Sequence, residues 1–223
     1  MKKFLATAVV TGLIGGSAFA ATNVVSSANI VGYVKTPMTS GQFQIIGSQF
    51  LAGSTNGVTL GSAFSGLTEE STLITWNGSG YAPYTYYIGY GWYDVGGAEA
   101  NDVVIPSGSS FWVRNNGAAT DVVLSGDVPM ADSITNTLVE GFNLIANPYP
   151  VALKLSDIPT ASLSEEDVLF AWNGSGYAPY TYYIGYGWYD VGGAEANTVE
   201  IPVGQGFWLR TAASGSLIFN KQY

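Results

Sequence analysis

The sequence predicts an all-β protein of two tandem units, each a β-sandwich-like or small-barrel repeat. Three observations carry that expectation. Trp76 to Asn101 and Trp172 to Asn197 both read WNGSGYAPYTYYIGYGWYDVGGAEAN, 26 identical positions at an offset of 96. Short runs of β-branched and aromatic residues are punctuated throughout by Gly, Pro, Asn and Asp, the pattern of strands and turns. No stretch sustains a helical period.

From the N-terminus, Lys2 and Lys3, the apolar run Phe4 to Ile14 and the small-x-small end Ala18-Phe19-Ala20 form the pattern of a signal peptide over residues 1–20. That run is too short to span a membrane as a helix. Export and an extracellular or cell-surface location are therefore expected. Residues 21–35 follow as an alternating extension with no evident partner in the second unit, a candidate exchanged strand. Val24, Ala28, Ile30 and Val34 are its candidate strand-addition residues. Unit 1 is placed at 36–125 and unit 2 at 126–223.

The repeat extends beyond its identical segment. Phe111, Trp112 and Arg114 recur as Phe207, Trp208 and Arg210, while Phe43 and Ile46 match Phe142 and Ile145 at an offset of 99. Unit 1 thus carries about three extra residues, placed near Asn56-Gly57. Predicted strands in unit 1 are 44–47, 73–76, 81–88, 90–95, 102–105, 110–114 and 121–124, repeated in unit 2. Leu155-Ser156-Asp157-Ile158 reads as one helical turn. Asn77-Gly78 and Asn173-Gly174 are tight-turn signals. With the following serines they are also glycosylation sequons, and the turn is the favoured reading.

Composition narrows function. Hydrophobic residues make up 47% and charged residues 10%, so the chain has ample material for a core and a neutral surface suited to association. Seven basic residues face 16 acidic ones. Without Lys2 and Lys3 the balance is five against 16, or −11, which leaves no basic patch for nucleic acid. The chain has no Cys and no His, so Cys nucleophiles, His-based triads and zinc sites on those ligands are excluded. Glu69, Glu70, Asp94 and Glu99 could form a carboxylate pair only if the fold set two of them opposite each other. No catalytic residue, cofactor or metal is assigned. The loop Asp94 to Asp102 holds oxygen ligands that a hard cation would accept, but its spacing matches no EF-hand and an acidic turn is favoured.

Large rings alternate along Tyr84 to Trp92 and again along Tyr180 to Trp188. Tyr84, Tyr86, Tyr90 and Trp92 share one face of an extended chain, as do Tyr180, Tyr182, Tyr186 and Trp188. Three uses are open: a core set, an assembly interface, or a glycan-stacking platform.

The pattern Trp-Asn-Gly-x-Gly-Tyr, Gly-Tyr-Gly-Trp and Pro-x-Gly-x-x-Phe-Trp, with Ser27-Ala28-Asn29-Ile30-Val31-Gly32-Tyr33, resembles secreted tandem-repeat proteins of environmental Gram-negative bacteria. The resemblance spans most of the chain after residue 20 and implies extracellular location and duplication, with no assigned activity. The expected function is a self-assembling extracellular subunit, a homo-oligomer or polymer built by strand addition. The alternative is a non-catalytic polysaccharide-binding protein that uses the two aromatic stripes.

Overall fold

A computed structural model describes residues 30–53 and 55–223. The leader at 1–20 and the strand-addition residues Val24 and Ala28 lie outside the described residues.

The protein is all-β. The first half runs through β1 (Val31–Met38), β2 (Phe43–Gly47), β3 (Gly57–Thr59), a helical turn α1 (Leu60–Ala63), β4 (Phe64–Ser65), β5 (Thr72–Trp76), β6 (Tyr81–Tyr87), β7 (Gly91–Asp94), β8 (Val104–Pro106), β9 (Ser110–Arg114) and β10 (Thr120–Asp127). The second half runs through β11 (Ser133–Leu138), β12 (Gly141–Ile145), β13 (Leu153–Lys154), a 3-10 turn (Leu155–Asp157), β14 (Val168–Trp172), β15 (Tyr177–Tyr183), β16 (Gly187–Asp190), β17 (Glu200–Ile201), β18 (Phe207–Thr211) and β19 (Gly215–Asn220). Each half builds one five-stranded antiparallel sheet. The orders, β2-β9-β5-β6-β7 and β12-β18-β14-β15-β16, correspond strand for strand.

Strand alternation divides the side chains of each large sheet between two destinations. In β9, Phe111 and Val113 enter the core of the first half, beneath β1, β10 and β4, while Trp112 points the other way. In β18, Phe207 and Leu209 enter the core of the second half and Trp208 points away. Each fully buried side chain of this size contributes roughly 1.5–3 kcal/mol through removal from water. The rings that point away meet in a third apolar cluster: Ile45, Trp76 and Trp112 from one half, Leu144, Phe170, Trp172 and Trp208 from the other.

The two halves meet through reciprocal contacts. Gly47 N–H donates to Gly204 O at 2.9 Å, and the equivalent Ala146 N–H donates to Gly108 O at 2.8 Å. Bridges Ile46 to Gln205 and Ile145 to Ser109 repeat the exchange. When a contact made by one half recurs with the roles swapped, the halves are related by an approximate two-fold axis, as in an isologous dimer.

Two sequence expectations are corrected here. The extension is not without a counterpart. β1 pairs antiparallel with β10 along its whole length, Thr36 opposite Val122, and β11 pairs antiparallel with β19, Asn136 opposite Leu217, with Val122 and Leu217 each buried in the core of its half. β1 and β11 are equivalent, so the divisions at 35/36 and 125/126 cut through β1 and β10. The polar sequence of β11 (SITNTL) hid it. The insertion also differs from its apparent size. Val58 opposite Ile105 matches Leu153 opposite Ile201, an offset of 95. Between β2 and β3 the first half therefore holds four extra residues, and it lacks one before β5. Sequence comparison registers only the net of three.

Candidate functional site: an aromatic bowl between the halves

The site grows from the Asn-Gly turns. Asn77 Oδ1 accepts from the Ser79 and Gly80 amides at 3.0 and 2.8 Å, and Gly78 takes a φ of 94°, a left-handed position open to glycine at little cost. This turn sets Trp76 directly opposite Tyr81 on the returning strand, with ring centroids 4.9 Å apart. The second copy is built alike: Trp172 lies opposite Tyr177, with centroids 5.1 Å apart. A short hairpin thus delivers a rigid Trp-Tyr pair to each side of the junction.

On one side these rings close into a bowl of about 360 Å³, lined by Trp76, Tyr81, Phe142, Phe170, Tyr177 and Trp208. Trp208 is its floor, only 6% exposed, and meets Trp76 at 5.4 Å, Phe142 at 5.9 Å and Tyr81 at 6.4 Å, each edge to face. Phe170 joins the wall 6.0 Å from Phe142 and 6.2 Å from Tyr177. The rim is open, because Tyr81 is 60% exposed, Phe142 46% and Tyr177 44%. Such edge-to-face pairs add about 0.5–1.5 kcal/mol each beyond burial and hold the rings in place.

The polar atoms of the bowl are few and mostly fixed. Trp76 Nε1 donates to Phe142 O at 2.9 Å, and Trp208 Nε1 donates to Tyr177 Oη at 3.1 Å. Burial pushes the Tyr177 hydroxyl above its ordinary pKa of 10.0; the Trp208 donation pulls it down and Tyr81 pushes it up. The hydroxyl is therefore neutral at physiological pH. Among the described residues, no Asp, Glu, Lys or Arg lines the bowl. Its chemistry is apolar ring surface with phenol hydroxyls at the rim.

The aromatic stripes read from the sequence lie elsewhere. Trp92 and Trp188 are 1% exposed and fill the centres of the two cores, and Tyr182 is buried beside Trp188. Tyr84, Tyr86 and Tyr180 are half-buried and pack against the same cores. Cross-strand pairs Tyr86 with Trp92 and Tyr182 with Trp188 lock these rings together, 5.4 and 5.3 Å between centroids. Trp92, Trp188 and Tyr182 have no open ring face for a sugar or a second subunit. Tyr90 and Tyr186 alone stand clear, on the β6–β7 and β15–β16 tips. The opposite alternation face of the same hairpins supplies Tyr81 and Tyr177 to the bowl. Of the strand-addition residues, Ile30 is exposed and Val34 packs against the first core.

The acidic groups are occupied locally. Asp94 Oδ1 accepts from Gly96 and Ala98 N–H at 2.9 and 2.8 Å, and Asp190 Oδ1 does the same for Gly192 and Ala194. Glu69 Oε2 accepts from Ile88 N–H at 2.7 Å, while Glu99 Oε1 accepts from Asn101 Nδ2 at 2.7 Å. Among the described residues, no three acidic side chains gather where a metal ion could sit.

None of the six bowl residues, Trp76, Tyr81, Phe142, Phe170, Tyr177 and Trp208, was singled out as a site residue by the sequence. Phe170 and Phe142 lie outside the identical segment, and only docking of the halves brings them to Trp76. Compared with protein-family models, curated proteins and solved structures, the chain matches none of them, so its site is read from its own geometry.

Proposed function

We propose that the protein is a non-catalytic, extracellular polysaccharide-binding protein that seats a neutral sugar in the aromatic bowl. The observation that carries this reading is the open ring of six aromatic side chains from both halves, with hydroxyls at its rim and no charge. A pyranose has an apolar C–H face and a polar periphery, which suits a ring floor edged by phenols. A charged ligand would find no ion partner there. A lipid chain is better served by an enclosed cavity than by a bowl whose rim rings are about half exposed.

The test is quenching of tryptophan fluorescence by soluble neutral polysaccharides (glucan, mannan, galactan and xylan). Tyr81→Ala removes an exposed rim ring without opening a core, and should weaken binding about tenfold, the equivalent of about 1.4 kcal/mol. No response to any of the four would sink the reading.

A second reading, self-assembly, rests on different surfaces. Ile88 and Tyr90 stand exposed at one hairpin tip, and Ile184 and Tyr186 at its copy, with Val95 and Val191 exposed beyond the far ends of β7 and β16. Val31 and Tyr33 add an exposed apolar pair on β1. Exposed apolar residues repeated twice per molecule favour contacts between copies. Light scattering with negative-stain imaging addresses this reading: filaments abolished by Tyr90→Ser with Tyr186→Ser support it, and a persistent monomer at high concentration overturns it.

A further inference from the structure

Two grooves flank the junction, and they are the same groove made twice. One, of about 370 Å³, lies between the edge of β1 (Lys35 to Pro37) and the Trp172-Asn173-Gly174 and Pro202 to Gln205 turns of the other half. The other, of about 400 Å³, lies between the edge of β11 (Thr135 to Thr137) and the Trp76-Asn77-Gly78 and Pro106 to Ser109 turns. Their floors correspond as well, Gln44 and Ile45 in one and Asn143 and Leu144 in the other.

Each groove combines a tryptophan with hydrogen-bonding groups that no described residue uses. In the β11 groove the Thr135 and Thr137 hydroxyls and Asn77 Nδ2 are free among the described residues, and Trp76 is shared with the bowl. In the β1 groove the Thr36 hydroxyl, the Gln44 carboxamide and Asn173 Nδ2 have no partner among the described residues. Trp172 Nε1 is buried there with no acceptor, whereas its equivalent on Trp76 donates to Phe142 O. Trp188 Nε1, in the core of the second half, is likewise buried without an acceptor, so it is the hydroxyls and amides beside Trp172, and not its N–H alone, that face a ligand in the groove.

We infer that these two grooves are equivalent sites for extended polysaccharide chains, so that one molecule is divalent and cross-links glycan strands. The inference rests on the glycan reading of the bowl and extends it: the bowl and the β11 groove share Trp76 as a wall, so they adjoin. An extended peptide is the competing occupant, since both grooves follow a strand edge. The Pro-x-Gly turns oppose it. Gly108 O accepts Asn136 Nδ2 at 2.9 Å midway along β11, and a Cβ on Gly204 would lie 2.2 Å from Val34 Cγ1 midway along β1. Each turn therefore obstructs the centre of a strand edge, which breaks the continuous ladder that an added strand needs. Side-chain hydroxyls and amides around a tryptophan remain, which is the chemistry of sugar recognition.

The test uses the hexasaccharide of whichever polysaccharide binds, titrated calorimetrically, with turbidity of the parent polymer as a second readout. Two hexasaccharides per chain and a turbid network are expected. Thr36→Trp or Thr135→Trp, each filling one groove, should reduce the stoichiometry to one and abolish the network while binding persists. Should Thr36→Trp fail to fold, Gln44→Ala leaves the groove open and should weaken one of the two sites roughly fivefold through a lost hydrogen bond. One hexasaccharide per wild-type chain, or a network unchanged in both filled variants, overturns the inference. If those results accompany loss of binding in Tyr81→Ala, the bowl reading stands without it. If Tyr81→Ala binds like wild type while the filled variants lose a site each, the bowl reading fails and the grooves remain. Competitive displacement of the hexasaccharide by a peptide of residues 21–35 assigns the grooves to peptide and overturns the glycan inference.

Discussion

Trp76 and Trp172 occupy the same position of an identical 26-residue segment, yet they do different things. Trp76 donates to Phe142 O and walls a bowl; Trp172 leaves its N–H without an acceptor and lies 5.1 Å from Trp112, edge to face. The segment cannot be responsible, because it is the same in both halves. The residues it meets are responsible. Phe142 and Phe170 face one side of the junction, and their equivalents Phe43 and Ile74 face the other. Phe43 meets Trp112 at 6.1 Å just as Phe142 meets Trp208 at 5.9 Å, so the difference lies in Ile74 where the other side has Phe170, and in Arg114, 5.8 Å above the Phe43 ring. A pseudo-symmetric interface thus acquires a single bowl through substitutions outside the repeated segment.

The sharpest way to probe this difference is to remove the two floor tryptophans in turn. Trp208 is buried between the halves, whereas Trp112 is half-buried. Trp208→Ala should destabilise by about 4 kcal/mol through the cavity it leaves, and Trp112→Ala by about half that. Urea denaturation of both variants checks it. Equal losses would mean that the two sides of the junction are energetically alike and that the bowl is not a distinct feature.

Gln49 is the next asymmetry. It is 1% exposed, and its carboxamide donates to Asn147 O at 3.2 Å and Tyr149 O at 3.1 Å while accepting from Gly204 N–H at 2.9 Å. One side chain of the first half thereby ties down two segments of the second, and the equivalent position in the second half is Pro148. Gln49→Ala strands buried backbone groups and should cost about 3 kcal/mol by the same measurement. A loss under about 1 kcal/mol would show that water replaces these bonds and that other contacts hold the halves together.

Much of the fold was legible because local physics determines it. Ser110–Arg114 was read to the residue, since the run SFWVR alternates cleanly and is bounded by turn formers. The turn at Leu155–Asp157 and the Asn-Gly hairpins were equally local. β11 was not legible: its outward residues are Ser and Thr, and its buried Asn136 is satisfied by Gly108 O and Ala146 O, partners distant from it in sequence or structure-dependent. The site itself was not legible. Period-two alternation set Tyr84 and Tyr86 on one face, but it read Tyr84 to Trp92 as one extended chain where the backbone turns between Tyr87 and Gly91, and alternation alone does not say which face is buried. The core claimed Tyr84, Tyr86 and Trp92, and docking of the halves claimed Tyr81.

The smallest predicted effect tests the comparison most directly, because the same truncation of indole to phenyl is made at both positions and only the fate of the N–H differs. Trp76→Phe removes the donor to Phe142 O and should cost about 1 kcal/mol. Trp172→Phe removes a buried N–H that has no acceptor, so the desolvation penalty disappears with it. Both truncations remove packed ring volume, and they differ in what the lost N–H was doing. Thermal and urea unfolding of the matched pair should show Trp76→Phe less stable than Trp172→Phe by about 1 kcal/mol or more. Equal losses at both positions would mean that Trp172 finds an acceptor in solution, a bound water being the simplest, and would remove the unsatisfied donor from the case for a ligand in the β1 groove.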